Sequence, residues 1–289
     1  ARESAGGGTV AALELAAEQP QGAVVACCST LYGHPLAELL VGESFHPGGL
    51  SATRALLDAA RAPRGAQLLD VGCGLGASAR VAASEYGLRV EALDSSGAVI
   101  ERARSRPGGD AIAWQTADLR ELPYDDDSFD VVLAECVLST APRGRALAEL
   151  ARVLRPDGML LVSDVQSRGR AIPGLDDHAL LGAALCVNDA WSPGELERSV
   201  AAHGLVVRRR WDRSDDVLRL LERIEGRLLI AASVASRLQP ALEIADGLGR
   251  LDVPEARVLA ASVRAAVEAG ELGYFAAIVR CSSAVSSGP

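Results

Sequence analysis

LLDVGCGLGASAR, residues 68–80, decides the fold, because it places an apolar strand, three closely spaced glycines and a helix in succession. A glycine has no Cβ, so Gly72, Gly74 and Gly76 allow the backbone to turn tightly and to approach a ligand closely. The helix that follows presents unpaired backbone amides in its first turn. The succession predicts a ligand-binding turn between a strand and a helix.

The spacing of these glycines restricts the kind of ligand. Dinucleotide sites usually carry Gly-x-Gly-x-x-Gly, whereas this loop has Gly-x-Gly-x-Gly and is preceded by Asp70. A carboxylate beside the loop repels a pyrophosphate and suits a ligand that carries an ammonium and a sulfonium. The spacing therefore counts against NAD.

Outward from this loop, apolar runs alternate with helical spacing. Runs of this kind are typical of a parallel sheet that is covered on both faces. Four helices are predicted between or after the strands, over Leu75–Tyr86, Gly97–Ala103, Ala146–Leu154 and Ser192–His203. The predicted strands are Gln67–Val71, Arg89–Leu93, Ala111–Thr116, Phe129–Ala134, Met159–Val165, Leu205–Trp211 and Gly273–Arg280.

The chain divides into four predicted parts. Residues 1–62 form an N-terminal helical cap segment, and residues 63–212 form the core domain. Residues 213–272 are rich in Leu, Ala, Arg and Glu and form a helical insertion, after which residues 273–289 hold the last strand and a tail. The insertion either covers the ligand pocket or forms the contact of a homodimer.

Composition excludes several classes of protein. Hydrophobic residues make up 49% of the 289 residues and charged residues 23%, an ordinary globular balance. The net charge of −9 disfavours a nucleic-acid partner. The sequence has no run of roughly 20 apolar residues and no signal peptide at its start, so we expect no membrane partner and a cytoplasmic location. The six cysteines are then expected to be reduced thiols.

Further motifs follow the later strands in order. Asp94 and Ser95 follow the second strand, where a carboxylate accepts ribose hydroxyls, and Asp118 and Leu119 follow the third, where they suit an adenine. SFDVVLAEC and RVLRPDGMLLVSD complete the series. Over residues 65–165 the chain resembles the class I S-adenosylmethionine-dependent methyltransferases. That resemblance implies a Rossmann-like α/β fold with a seven-stranded, mostly parallel sheet whose last strand is antiparallel. It also implies S-adenosylmethionine as the cofactor and a site that contains Asp70, Gly72, Gly74, Gly76, Asp94, Ser95, Asp118, Leu119 and Glu135.

The cysteines are candidates for holding a methyl acceptor. Cys136 follows the fourth strand at the edge where open α/β sheets bind ligands. Cys186 follows the fifth, and Cys27 and Cys28 precede the core. Soft thiolates favour soft acceptors such as trivalent arsenic, but cysteine is also a common small packing residue.

A closer resemblance is to the arsenite methyltransferases. ACC at 26–28, ECVLS at 135–139, SDV at 163–165 and GAALC at 182–186 carry it. It implies that Cys136, Cys186 and either Cys28 or Cys27 bind arsenic as catalytic, metalloid-binding ligands. Two departures are Glu135 and Ser139, where that family has Asn.

Two other functions remain open at this point. One is an O-, N- or S-methyltransferase of another small metabolite, with His46 or Glu135 as the base. The other is a non-catalytic protein that binds the cofactor or a metalloid.

Overall fold

The computed structural model describes residues 42, 44–175, 187, 189–238 and 253–282. Within these residues a single seven-stranded sheet has the strand order β3-β2-β1-β4-β5-β7-β6. Its strands are β1 (Gln67–Val71), β2 (Arg89–Asp94), β3 (Ile112–Thr116), β4 (Phe129–Glu135), β5 (Leu154–Ser167), β6 (Leu205–Asp212) and β7 (Leu272–Cys281).

The pairing directions confirm the predicted sheet. β1 pairs in parallel with both β2 and β4, and β4 pairs in parallel with β5, whereas β7 runs antiparallel to β5 and β6. The strand order reverses between β1 and β4, which is the point where open α/β sheets bind ligands beyond the carboxyl ends of their strands. The glycine loop after β1 and Glu135 at the end of β4 flank this point.

Helices cover both faces of the sheet, as predicted. One apolar cluster contains Leu147 and Leu150 with Trp191, and the opposite cluster contains Leu56, Ala79 and Ile100. The core strands are buried on both faces, which is why they are continuous apolar runs. The helices concerned are α1 (Gly49–Ala60), α2 (Ala77–Ser84), α3 (Gly97–Arg104), α4 (Arg143–Val153) and α5 (Glu195–Ala201).

The late helical block is an insertion before β7. It forms α6 (Ser214–Leu238) and α7 (Val253–Glu268), which pack on each other and on β7. Together with residues 172–175 they build a third apolar cluster against β5 and β7. Its members are Val165, Ile172, Leu175, Val217, Leu259, Val263, Val267, Leu272 and Tyr274. In the described part of the chain no helix is long and apolar enough to cross a bilayer.

Some element boundaries differ from those predicted. Strand β5 begins at Leu154 and not at the predicted Met159, because Phe129 pairs with Leu154 and Val131 pairs with Met159. Four residues of β5 therefore lie opposite one residue of β4. Helix α5 starts at Glu195 and not at Ser192, since the Ser192 backbone amide and hydroxyl both donate to the Glu195 carboxylate ahead of the helix.

Candidate functional site

The glycine loop has three positions with positive φ, at +65° for Gly72, +52° for Gly74 and +74° for Gly76. A Cβ on Gly72 would lie 2.5 Å from Val137 Cγ2, and a Cβ on Gly76 would overlap the Trp114 ring. A Cβ on Gly74 would meet a single described atom within 4 Å, Phe45 Cδ2 at 3.7 Å. Protein packing therefore explains two of the glycines, whereas the described residues leave the space above Gly74 open to a ligand.

Asp94, at the end of β2, holds this loop in place. Its Oδ2 accepts a hydrogen bond from the Gly74 amide at 3.1 Å, and its Oδ1 accepts one from the Ser96 amide at 2.9 Å. Burial raises the pKa of Asp94, and the backbone amides of Ser96, Gly74 and Ser95 act in the opposite direction. The carboxylate thus sits beside the open position, with its second lone pairs available to ribose hydroxyls.

Asp70 lies within β1 and is 3% exposed. The backbone amide of Ala79 donates to its carboxyl group, whereas its Oδ2 is buried and has no hydrogen-bond partner among the residues that the structure describes. Burial raises the pKa of Asp70 well above its usual value, and the nearby Glu135 and Asp94 carboxylates raise it further. A buried carboxylate oxygen without a donor is costly, and an ammonium group would satisfy it.

Glu135, at the end of β4, is contacted by side chains from three elements. The Ser78 hydroxyl donates to its Oε2 at 2.6 Å, and the Thr53 hydroxyl lies 3.1 Å from the same oxygen. The His46 Nε2 lies 3.4 Å from it, and the Glu135 side chain is 5% exposed. Glu135 therefore ties α1, α2 and the turn before α1 to the end of β4.

The other predicted cofactor residues lie beyond β2 and β3. Ser95 is exposed. Asp118 forms an ion pair with Arg120 at 2.6 Å, and that guanidinium lowers the pKa of Asp118. Leu119 is 7% exposed and packs in the first apolar cluster. These three residues lie at the same edge of the sheet as Asp94, because β3 pairs in parallel with β2.

Cys136 follows β4 at the expected edge, in a left-handed conformation with φ of +52°. Its thiol donates to the Tyr274 hydroxyl oxygen at 3.6 Å, and the Tyr274 hydroxyl donates to Ser163 Oγ at 2.8 Å. Cys136 also packs against the third apolar cluster. Burial raises the pKa of Tyr274 well above its usual value. The thiol is thus held in contact with a buried phenol.

Asp164, at the far end of β5, is fully buried and fully paired. It accepts from the backbone amides of Ser139 at 3.0 Å and Val165 at 2.8 Å, and from Trp191 Nε1 at 3.2 Å. Burial raises the pKa of Asp164, and these donors lower it. The guanidinium of Arg143 lies 4.3 Å from the Trp191 ring centroid. The Trp191 carbonyl also accepts a hydrogen bond from the Ser167 amide. These contacts hold Trp191 next to the end of β5.

The three-cysteine arrangement is only partly placed. Cys27, Cys28 and Cys186 lie outside the described residues, so the structure does not test whether they meet Cys136. Among the described residues, no three His, Cys, Asp or Glu side chains gather as they would around a metal ion.

Sequence reasoning missed the partners that hold Glu135 and Cys136. Thr53 and Ser78 belong to helices that are distant in sequence from β4, and Tyr274 lies 138 residues after Cys136. Single polar residues on otherwise apolar helix faces were the available signal at Thr53 and Ser78. Such positions do not by themselves reveal which carboxylate they meet.

Comparison with known proteins finds methyltransferases among those with similar sequences. A family model described as a methyltransferase domain matches residues 69–162. Methyltransferase GfsG of Streptomyces halstedii is 39% identical over 120 residues, which are 40% of this chain and 42% of that protein. The 27-O-demethylrifamycin SV methyltransferase of Amycolatopsis mediterranei is 35% identical over 146 residues, covering 45% and 54%.

A solved structure shows the same fold over most of the chain. The phosphoethanolamine N-methyltransferase 2 of Haemonchus contortus, in complex with S-adenosyl-L-methionine, superposes with a TM-score of 0.66 and 16% identity, over 91% of this chain and 58% of that one. The chain spans about half the length of the curated relatives it matches. Residues 69–162 are thus similar in sequence to a methyltransferase domain, and the fold of the chain is that of a solved methyltransferase structure.

Proposed function

We propose that this protein transfers a methyl group from S-adenosylmethionine to a small organic molecule. The observation that carries the proposal is the pairing of an unsatisfied buried carboxylate oxygen, on Asp70, with open space above Gly74. A ligand that brings a cation to Asp70 and lies against Gly74 matches both features. The fold places them at the point where ligands bind in open α/β sheets.

Each predicted cofactor residue has a proposed role. Asp70 receives the ammonium of the methionine part, either directly or through a water molecule. Asp94 receives the ribose hydroxyls while it holds the Gly74 amide. Leu119 lies against the adenine, and Asp118 accepts a hydrogen bond from the adenine amino group. This requires the ion pair between Asp118 and Arg120 to break, or Asp118 to accept from both groups at once.

The four remaining positions predicted for the cofactor site also have proposed roles. Ser95 contributes a hydroxyl at its exposed edge. Gly72 and Gly76 give the loop its path, since Val137 and Trp114 fill the space beside them. Glu135 acts from behind the pocket, through the hydroxyls and the imidazole that face it.

The chemistry is an in-line displacement. S-adenosylmethionine supplies an electrophilic methyl group on a sulfonium. Such a displacement requires the acceptor lone pair to lie in line with the bond that breaks, about 3–3.5 Å from the methyl carbon, and an acceptor hydroxyl also needs a base.

We propose an oxygen or nitrogen acceptor in an organic molecule. The name of the Amycolatopsis mediterranei relative, an O-demethylrifamycin methyltransferase, supports an oxygen acceptor. The Cys136 thiol already has a packing and hydrogen-bonding role with Tyr274. Thiol-bound trivalent arsenic on Cys136, Cys186 and Cys28 or Cys27 stays a prediction, as do the cytoplasmic location and the homodimer.

Labelled S-adenosylmethionine tests the proposal. The protein is incubated with a panel of phenols, alcohols and amines, and separately with arsenite plus a thiol, and the products are separated and counted. We expect label in organic methyl products and none in methylated arsenic. Label only in arsenic would establish the prediction based on the cysteines, and bound cofactor without any labelled product would indicate a non-catalytic binding protein. The Asp94→Ala variant is the control for cofactor-dependent signal.

A further inference from the structure

The turn formed by Ser44, Phe45 and His46 lies between the glycine loop and the end of β4. Phe45 Cδ2 lies 3.7 Å from the position that a Cβ would take on Gly74. On the other side, His46 Nε2 lies 3.4 Å from Glu135 Oε2. A ligand that occupies the open space above Gly74 is therefore bordered by this turn.

The hydrogen bonds of His46 assign its two ring nitrogens. Nδ1 lies 3.2 Å from the Pro47 carbonyl oxygen, which only accepts, so Nδ1 carries the hydrogen. In the neutral ring Nε2 then has a free lone pair. The Ser44 hydroxyl lies 2.7 Å from Nε2 and donates to it.

The surroundings of His46 suit a ring that gains a proton. Glu135 faces Nε2, and the hydroxyls of Thr53 and Ser78 donate to its carboxylate. A carboxylate at this distance stabilises an imidazolium. The ring itself is 7% exposed and both nitrogens are engaged, so it does not reach a substrate directly. Ser44 is half-buried and directly precedes Phe45, whose ring borders the open space above Gly74.

We propose that Ser44 and His46 form a proton relay that deprotonates a hydroxyl acceptor, with Glu135 stabilising the charged ring. This inference rests on the proposed function. As the acceptor oxygen bonds to the methyl carbon and the carbon–sulfur bond breaks, the acceptor proton passes to Ser44 Oγ and the Ser44 proton passes to His46 Nε2. The sulfonium becomes a neutral thioether, the acceptor becomes a neutral methyl ether, and the single positive charge ends on His46. Ser44 is the catalytic residue, and Glu135 is a positioning residue.

A matched pair of acceptors tests the relay. 4-Methylphenol requires loss of a proton during transfer, whereas 4-methylbenzenethiol is largely ionised at neutral pH and needs no base. We expect Ser44→Ala and His46→Gln to lower the rate of 4-methylphenol methylation by about 100-fold, while the rate with the thiol stays within about threefold of wild type. Ser44→Thr keeps the hydroxyl and should restore phenol methylation.

The controls separate the relay from folding and from the proposed function. Ser84→Ala changes an exposed serine whose hydroxyl bonds only its own helix, and should leave both rates unchanged. Binding of S-adenosylhomocysteine to each variant, measured by calorimetry, reports on folding of the site. An equal loss of rate on both acceptors, or no loss on either, overturns the relay. Failure of the wild type to methylate either acceptor while binding the cofactor counts against the proposed function itself.

Discussion

Two buried aspartates, one in β1 and one in β5, differ in what surrounds them. Asp164 is fully buried and accepts three hydrogen bonds, one of them from the Trp191 indole. Asp70 is buried almost as deeply, yet its Oδ2 has no donor in the described part of the chain. Burial raises the pKa of both carboxyl groups. At nearly the same burial, Asp164 thus has donors for its carboxylate, whereas one carboxylate oxygen of Asp70 lacks a donor among the described residues.

The difference separates structural from ligand-binding polar groups. Native proteins pair nearly all buried polar atoms. The complete set of partners therefore gives Asp164 a structural role, and the incomplete set at Asp70 is the basis on which we propose a ligand contact there. The same contrast divides the glycine loop, where Trp114 fills the space at Gly76 and open space lies above Gly74.

The largest expected effect is at the satisfied aspartate. Asp164→Ala leaves the Ser139 amide, the Val165 amide and the Trp191 Nε1 without an acceptor. Unpaired buried donors cost about 1–3 kcal/mol each, so we expect the free energy of unfolding to fall by about 4 kcal/mol in urea denaturation. A loss below about 1 kcal/mol would contradict the anchoring role.

The two glycines give the next comparison. Gly76→Ala places a Cβ against the Trp114 ring, and we expect unfolding free energy to fall by about 3 kcal/mol from overpacking and the left-handed backbone. Gly74→Ala carries only the backbone cost, about 1–2 kcal/mol. It should weaken S-adenosylmethionine binding more than its stability loss accounts for.

Urea denaturation and calorimetry on both glycine variants check this pair. The double variant Gly76→Ala with Trp114→Leu should recover part of the lost stability. Equal stability losses at the two positions, with cofactor affinity unaffected at Gly74, would remove the distinction between packing and ligand approach.

Asp94→Ala tests the proposed ribose contact. The variant lacks an ionised acceptor, and a hydrogen bond to such a group contributes about 1.5–3 kcal/mol. We therefore expect cofactor affinity to fall by about 100-fold in isothermal titration. The control is Asp130→Ala, because Asp130 pairs with Arg155 away from the loop and should not change the affinity. Unaltered binding by Asp94→Ala would show that the ribose assignment is wrong.

The smallest effect is at Asp70, and its sign depends on pH. A carboxyl with a raised folded-state pKa contributes stability below its unfolded pKa, and that stability is lost as pH rises through the folded pKa. Asp70→Asn mimics the neutral form, so the free protein should become about 1 kcal/mol more stable at neutral pH. Urea denaturation across the acidic-to-neutral range should show a smaller loss of stability in the variant. A free protein destabilised at neutral pH would contradict an unsatisfied Asp70.

Much of the fold follows from sequence pattern. The strands were predictable because each is a short apolar run between turn residues, and the glycine loop and Asp94 were predictable because their spacing is local. The start of α5 at Glu195 could not be predicted in this way. The Ser192 amide and hydroxyl donate to the Glu195 carboxylate, and these hydrogen bonds keep residues 192–194 outside the helix.

The surroundings of the site required the folded chain. Glu135 was predicted as a cofactor residue, yet its partners Thr53 and Ser78 lie on helices that meet only after the sheet has formed. The contact of Cys136 with Tyr274 likewise depends on β7 inserting next to β5. Periodicity shows which face is buried, but not which polar groups meet across it.

The central claim is that an ionised Asp70 in the glycine-lined cleft receives the ammonium of S-adenosylmethionine. The most direct measurement is isothermal titration with S-adenosylmethionine across the acidic-to-neutral range, for the wild type and Asp70→Asn. The account predicts that wild-type affinity rises with pH as Asp70 ionises, and that the variant binds more weakly and with a smaller dependence on pH, which then comes from Asp94. An absence of binding by the wild type, or the same affinity and pH profile for both proteins, would contradict it.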